Sequence, residues 1–422
     1  MKETLIVISD YVEGEPVVAS VRFAGLMPYF QERYELIVVN DEKYGRHAST
    51  YADTNYKYAT VDSILTQTMH GNAGGGARGH LGRMAENLLR HPWTLSAWRN
   101  YKYSKFKFDR MNAPLYGKLD ALIAGREIAG VFVTVPDVYA LYILDYIKRK
   151  SPCVQAVVEI RDIIDHDIGQ GNPRYVYRQA EQMVSKLADG IIAVSRGIHQ
   201  HYRMRNPQLP MRLITNGYDE HLFEDGAGQR SERKADHLAL VHIGSIYKGR
   251  SVGALVEGLG IYCRESGMSV TLHIAGLLDR QGLEDIDRTR PSGTGVEVRI
   301  HGSMEHEQAV QLLRTADAAV ILTHPSGSDY AIPGKTFEYI GACKPILAVT
   351  QDGELTDLVQ GKYGECARHA GEDVARALAR LMRGSYDFSD RGKYSRALQA
   401  EHILEFLEHI TLDGGAPISK EG

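Results

Sequence analysis

Short, nearly continuous apolar runs of strand length return along the chain, separated by longer stretches of helical character. TLIVIS, YELIVVN, AGVFVTVP, CVQAVVEI and DGIIAVS fill the first half, and LALVHIG, SVTLHIAG, VEVRIHG, AAVILTH and KPILAV the second. A strand whose apolar residues do not alternate must be covered on both faces, as in a parallel sheet flanked by helices. At 422 residues the chain exceeds one ordinary core and suits two domains of about 200 residues each. The expected fold class is therefore α/β, with two Rossmann-like doubly wound domains.

The stretch EDGAGQRSERKADH, between an Asn-Gly turn and LALVHIG, has the glycine-rich, charged composition of a linker. The expected division is a first domain over residues 1–225, a second over 236–390, and a C-terminal segment over 391–422. That segment is read as a helix with apolar Leu398, Ile403, Leu404, Phe406 and Leu407, packing back across the interface, and a frayed tail.

Composition narrows the function classes. Apolar residues make up 43% and charged residues 24%, the balance of a soluble globular protein. A net charge of −4 and a pI near 6.5 supply no global field toward nucleic acid, so attraction to anions must be local. Cys153, Cys263, Cys343 and Cys366 are far apart with no C-x-x-C pair, which reads as free thiols in a reducing cytoplasm. The start, MKETLIVISDYVEGEP, lacks the pattern of a signal peptide, and no run of about 18 apolar residues predicts a transmembrane helix. A cytoplasmic location is expected.

Open α/β sheets bind ligands beyond the carboxyl ends of their strands. In the second half those positions are GSIYKGR, AGLLDR, HGSMEH and HPSGSDYAIPGK. His242, His273, His301 and His324 also fall near strand ends, but on separate strands and without H-E-x-x-H spacing, so no metal site is assigned.

The stretch SDYAIPGKTFEYIGACKPILAV is more informative. Pro333 and Gly334 end a loop and open a segment of helical length. A helix start offers unpaired N–H groups and a positive dipole end, and Lys335 adds a full charge, so a phosphate or diphosphate suits it. Glu338 follows within a turn, where a carboxylate can accept from two neighbouring hydroxyls such as a ribose diol. An exposed i, i+3 ion pair is the plainer alternative. A Walker A loop is excluded, because Asp329 stands where its first glycine is required.

With VEIRD, GIIAVSRGI, RLITNGYDEHLF, HIGSIYKGRSVGALVEGL and IPGKTFEYIGACKPILAV in order from Val158 to Val349, the chain resembles the retaining family-4 glycosyltransferases of the GT-B fold. The resemblance implies two Rossmann-like domains facing each other across a cleft, and transfer of a sugar from a nucleotide-sugar to an acceptor. Carried onto this chain, it gives Glu338 the donor ribose, and the amides around Pro333, Gly334, Lys335 and Thr336 the diphosphate and sugar. After Gly244 the family presents an arginine and a lysine to the phosphates. Here Ser245 takes the arginine place and Lys248 and Arg250 follow, Arg250 standing nearer the lysine position. The backbone near Gly302 and Ser303 would meet the base. Many members carry a second acid eight positions before the ribose glutamate, where this chain has Tyr330 beside Asp329.

In the first domain the resemblance puts Arg161 and Asp162 near the donor sugar or acceptor, with a structural ion pair as the alternative. It leaves Ser9, Asp10 and Gly14 as acceptor-side candidates in a degraded glycine-rich loop. The implied catalytic set is Arg161, Asp162, Lys335 and Arg250, with front-face attack, a proton passing to the leaving diphosphate, and no metal or other cofactor. A non-catalytic nucleotide-sugar or glycan-binding protein, and a nucleotide-sugar epimerase or hydrolase, remain alternatives. An NAD-linked enzyme is disfavoured, since no glycine fingerprint follows the first strand of either domain.

Residues 44–126 match the family poorly and are read as the seat of acceptor specificity. GNAGGGARGH holds a formal G-x-G-x-x-G from Gly74 to Gly79 with no clear strand before it, and reads as a mobile loop. WTLSAWRNYKYSKFKFDR interleaves Trp93, Trp98, Tyr101, Tyr103, Phe106 and Phe108 with Arg99, Lys102, Lys105, Lys107 and Arg110. Such a pattern suits an anionic membrane surface on the inner face, and lipid-linked acceptors fit it. Base stacking on nucleic acid and an amphipathic helix packed on its own domain are the competing readings.

Overall fold

The computed structural model describes residues 2–15, 18–42, 48–62, 92–135, 138–165, 172–223, 236–247, 252–289, 295–325, 330 and 332–412. Lys248, Arg250, Asp329 and the GNAGGGARGH segment lie outside them. The chain divides into two compact units, residues 1–215 with 400–422, and residues 216–399.

The first unit is built on seven strands: β1 (Glu3–Ser9), β2 (Tyr34–Asp41), β3 (Thr54–Tyr58), β4 (Ile128–Val135), β5 (Ala156–Ile160), β6 (Gly190–Ala193) and β7 (Met211–Leu213). They pair in parallel in the order β3-β2-β1-β4-β5-β6-β7. Helices α1 (Val18–Arg33), α2 (Pro92–Lys102), α3 (Lys105–Met111), α4 (Ala113–Gly125), α5 (Tyr139–Lys150), α6 (Arg174–Leu187) and α7 (Arg196–Arg205) fill the connections.

The second unit repeats the plan with β8 (His237–Ile243), β9 (Ser269–Ala275), β10 (Val296–Gly302), β11 (Ala318–Leu322), β12 (Ile346–Val349) and β13 (Gly364–Ala367). These are parallel in the order β10-β9-β8-β11-β12-β13. Its helices are α8 (Gly253–Ser266), α9 (Arg280–Thr289), α10 (His306–Thr315), α11 (Lys335–Gly341), α12 (Gly353–Val359) and α13 (Gly371–Arg383), and α14 (Arg396–Leu412) closes the chain. Both orders reverse direction next to their first strand, between β1 and β4 and between β8 and β11. A crevice opens at such switch points, outside the carboxyl ends of the strands.

Burial explains the apolar runs. In the first unit Leu5, Val7 and Phe132 of the sheet pack with Phe30 of α1 and Phe406 and Ile410 of α14, all buried. A methyl group on Gly190 would stand 2.9 Å from Ile410 and 3.0 Å from Phe406, so α14 seats on β6 only because that position is glycine. In the second unit one face of the sheet meets Leu255 and Leu259 of α8 and Val374 and Leu378 of α13. The other face meets Phe337, Tyr339 and Ile340 of α11 and Leu355 of α12.

Two strands were not expected. TNYKY of β3 is half-exposed over four of its five residues, and β13 is only GECA. Both are edge strands; partial burial removes the apolar signal from β3, while β13, though mostly buried, is too short and too mixed in composition to show an apolar run. The division between units also falls earlier than residue 225. Tyr218 N donates to Tyr394 O at 3.0 Å and Arg396 N to Tyr218 O at 2.8 Å, which ties residues 216–223 to 391–399 in the second unit. Among the described residues no helix is long and apolar enough to cross a membrane.

Candidate functional site

In the second unit the residues singled out by sequence gather at the carboxyl ends of β8, β9 and β10 and at the start of α11. The joint between β8 and α11 is Tyr339, whose fully buried phenol accepts from Ile243 N at 2.9 Å. Burial pushes that phenol far above its ordinary pKa, so it stays neutral. Just beyond β8, Gly244 adopts φ +117°, a conformation L side chains rarely take, and its amide donates to Ala275 O at 2.8 Å. A methyl there would stand 2.9 Å from Lys335 Nζ, so the absent side chain lets the ammonium lie against the backbone.

Lys335 Nζ is 3.3 Å from Nε2 of His242. His242 is fully buried and its Nδ1 lies 3.0 Å from Val320 O. A carbonyl can only accept, so Nδ1 carries the proton and Nε2 accepts from the lysine. The histidine near the end of β8 thus orients a lysine.

Glu338, one helical step further, is partly buried, and its Oε1 lies 3.1 Å from His306 Nε2. The hydrogen bond to Glu338 holds His306 above its ordinary pKa against the opposing effect of burial. His306 was not singled out in the sequence. Its only signal was its place at the first turn of α10, shortly after Gly302. Gly302 itself has φ +73° and bridges to Gly276, while Ser245 Oγ accepts from Leu277 N at 3.2 Å. These contacts draw the ends of β8, β9 and β10 together, with Gly302 and Ser303 on the third.

The Thr336 amide donates to Pro333 O at 2.9 Å and the Phe337 amide to Gly334 O at 3.1 Å. In this conformation the Thr336 N–H is committed inside the turn. The Thr336 hydroxyl is buried with no hydrogen-bond partner among the described residues. Tyr330 sits in a turn and is partly buried. Lys344, also in the quoted stretch, is structural: its ammonium caps α10 by donating to Arg314 O at 2.6 Å and Ala316 O at 2.7 Å.

In the first unit the acceptor-side candidates lie at the end of β1 and in the loop after it. Ser9 Oγ donates to Tyr11 O at 2.7 Å, and buried Asp10 accepts from Tyr58 Oη at 2.7 Å. Gly14 has φ +78°. Two strands over, Glu159 on β5 is fully engaged. Arg22 Nη2 reaches its Oε1 at 2.5 Å and Thr134 Oγ1 donates to its Oε2 at 3.0 Å. Burial pushes Glu159 up, but Arg22 outweighs it and the carboxyl ends below its usual range. Arg161 follows at the strand end, with Nε and Nη2 buried and without hydrogen-bond partners among the described residues, while Asp162 accepts from Ile163 N at 2.9 Å. Arg161 and Asp162 are therefore not an ion pair with each other. Ser9, Arg22, Thr134, Glu159 and Arg161 line one crevice. Glu181, which takes hydrogen bonds from Tyr202 Oη and His201, is a further buried carboxylate that the sequence did not reveal.

Among the described residues no three His, Cys, Asp or Glu side chains form a group able to hold a metal ion. Of the strand-end histidines, His273 and His301 contact each other at 3.0 Å.

No protein-family model matches the chain, and no curated protein does. Solved structures do. Anabaena Alr3699/HepE in complex with UDP and glucose superposes with a TM-score of 0.62 at 14% identity, over 96% of this chain and 99% of that one. The lipopolysaccharide outer core galactosyltransferase WaaB, in its apo form, gives 0.57 at 14% identity over 98% and 100%. Sucrose-phosphate synthase from Thermosynechococcus elongatus gives 0.58 at 15% identity over 98% of each. At such identity the likeness establishes the fold, which is the GT-B fold implied by the motifs.

Proposed function

We propose that this protein is a glycosyltransferase that moves a sugar from a nucleotide-sugar donor to a glycan or lipid-linked acceptor, with retention, in surface polysaccharide or glycolipid synthesis. The observation that carries the reading is the pairing on α11. Lys335 is held against the Gly244 backbone at the end of β8, and Glu338 stands three residues on. A cation and a carboxylate so spaced at a switch point match a diphosphate and the ribose beside it. Two of the similar structures bear on the same chemistry, since HepE was solved with UDP and glucose and WaaB is named as a galactosyltransferase.

In this reading Glu338 accepts from the ribose hydroxyls and Lys335 neutralises charge on the leaving diphosphate, with Lys248 and Arg250 as further cations. Gly302 and Ser303 border the base, Tyr330 or Asp329 the sugar, and the loop after β1 the acceptor. The acceptor hydroxyl attacks from the face the diphosphate leaves, and its proton passes to a diphosphate oxygen. The side chains position and stabilise charge, a role that oriented cations fill without a metal.

The test is calorimetry and nucleotide release over a panel of UDP-, GDP- and dTDP-sugars, with wild type and Glu338→Ala. Selective donor binding that weakens at least about tenfold in the variant supports the ribose assignment. Binding with no nucleotide release points to a non-catalytic binding protein, and donor consumption without acceptor points to an epimerase or hydrolase.

A second reading rests on α2 and α3. Trp93 and Phe106 are 74% and 72% exposed, beside exposed Trp98 and Tyr101. Phe108 is instead core. Exposed aromatics beside Arg99, Lys107 and Arg110 support peripheral binding to an anionic membrane surface, while Lys102 and Lys105 are paired with Asp62 and Asp109.

A further inference from the structure

Among the described residues, the crevice at the carboxyl edge of the first sheet is lined by two arginines and one carboxylate. Its ionisable lining residues are Arg22, Glu159 and Arg161, and the rest of the lining is apolar or hydroxyl-bearing. Arg22 turns the Nε and Nη2 edge of its guanidinium to Glu159, with Nε 3.2 Å and Nη2 2.5 Å from Oε1. Thr134 Oγ1 takes up Oε2. Glu159 is thereby satisfied by partners other than Arg161. The same edge of Arg161, Nε and Nη2, is buried and meets no acceptor among the described residues.

An arginine is charged at any pH a protein tolerates, and burying its donors without partners is costly. A fold retains such a group where something else completes it. The Nε and Nη2 edge is the fork that matches two oxygens of a carboxylate or phosphate, as Arg22 and Glu159 show in the same crevice. Ser9 Oγ borders the same space and can turn toward an oxygen placed there.

We propose that Arg161 receives an oxyanion, a phosphate or a carboxylate, carried by the acceptor substrate, with the Arg22–Glu159 pair holding it in place. This rests on the glycosyltransferase reading for the word acceptor, and on the crevice alone for the site. It makes the acceptor an acidic sugar or a phosphorylated one, and Arg161 a specificity-determining residue.

Thermal melts of the full chain separate the possibilities, using inorganic phosphate, UDP and potassium chloride at matched ionic strength as probes. Wild type, Arg161→Gln and Arg161→Lys are compared. The expected result is a phosphate-specific rise of about 3 °C in wild type at tenfold above the Kd. That rise is absent in Arg161→Gln and reduced in Arg161→Lys, while the UDP shift is the same in all three. Without ligand, Arg161→Gln is expected to melt at or above wild type, because Glu159 keeps Arg22 and Thr134 while two unbonded buried donors are removed.

Equal phosphate shifts in wild type and Arg161→Gln would overturn the site. A UDP shift lost in Arg161→Gln would overturn the acceptor assignment and give the oxyanion to the donor diphosphate. A substantially lower melting temperature for the ligand-free variant would make Arg161 structural. A phosphate shift at Arg161 with no response to any nucleotide would leave the anion site standing and defeat the glycosyltransferase reading instead.

Discussion

The ammonium of Lys335 and the imidazole of His242 meet at 3.3 Å, and the histidine is locked in one tautomer by Val320 O. The lysine is thus held where β8 turns into its loop, with glycine at 244 leaving the room it occupies. Lys335→Met is expected to lower turnover about 100-fold. Gly244→Ala should mimic it, since the new methyl displaces the ammonium and the φ of +117° strains any side chain. Steady-state kinetics of the single and double variants check this: losses that do not add identify one shared effect, and additive losses reject it.

His306 predicts a pH dependence. Its pKa is raised above 6.5 in the folded protein, mainly by its hydrogen bond to Glu338. A raised folded pKa contributes stability that is fully present below the unfolded value and is lost as pH rises through the folded value. The melting-temperature difference between wild type and His306→Ala should be largest near about pH 5.5, worth about 1 kcal/mol, and shrink toward about pH 8.5. A difference constant across that range would show that the pair contributes nothing through charge.

Arg22 and Glu159 form a buried pair, with side chains 6% and 2% exposed. Arg22→Ala leaves Glu159 buried beside Thr134 without its main counter-charge, and should cost about 3–5 kcal/mol. Denaturant unfolding measures it. Arg22→Met with Glu159→Gln together should recover part of the loss, which a purely steric role for Arg22 would not allow.

The aromatic patch on α2 and α3 should bind anionic vesicles at low salt. Trp93→Ala with Phe106→Ala is expected to reduce co-sedimentation about tenfold, because two large exposed apolar side chains are removed. Added salt should weaken the wild type as well. Failure of wild type to sediment with vesicles rich in anionic lipid would end this reading.

Much of this protein was legible as a string of residues, for identifiable reasons. Strands such as IVIS of β1 or ILAV of β12 are covered on both faces, so their burial shows as an unbroken apolar run whatever their neighbours are. The IPGKTFEY segment was equally readable, because a turn, a helix start, a cation and a carboxylate are local features. Edge strands β3 and β13 were not: β3 is only partly covered, and β13 is four residues of mixed composition. His306 joins Glu338 across 32 positions, and Arg22 joins Glu159 across 137. Such pairings are set by sheet order and helix packing, and no periodicity records them. The same holds for Arg161. In the sequence it is an arginine after an acidic strand, with a plausible ion-pair partner on either side. Only the folded arrangement, which gives Glu159 to Arg22 and an Asp162 oxygen to Ile163 N, leaves the Nε and Nη2 donors of Arg161 without a hydrogen-bond acceptor among the described residues.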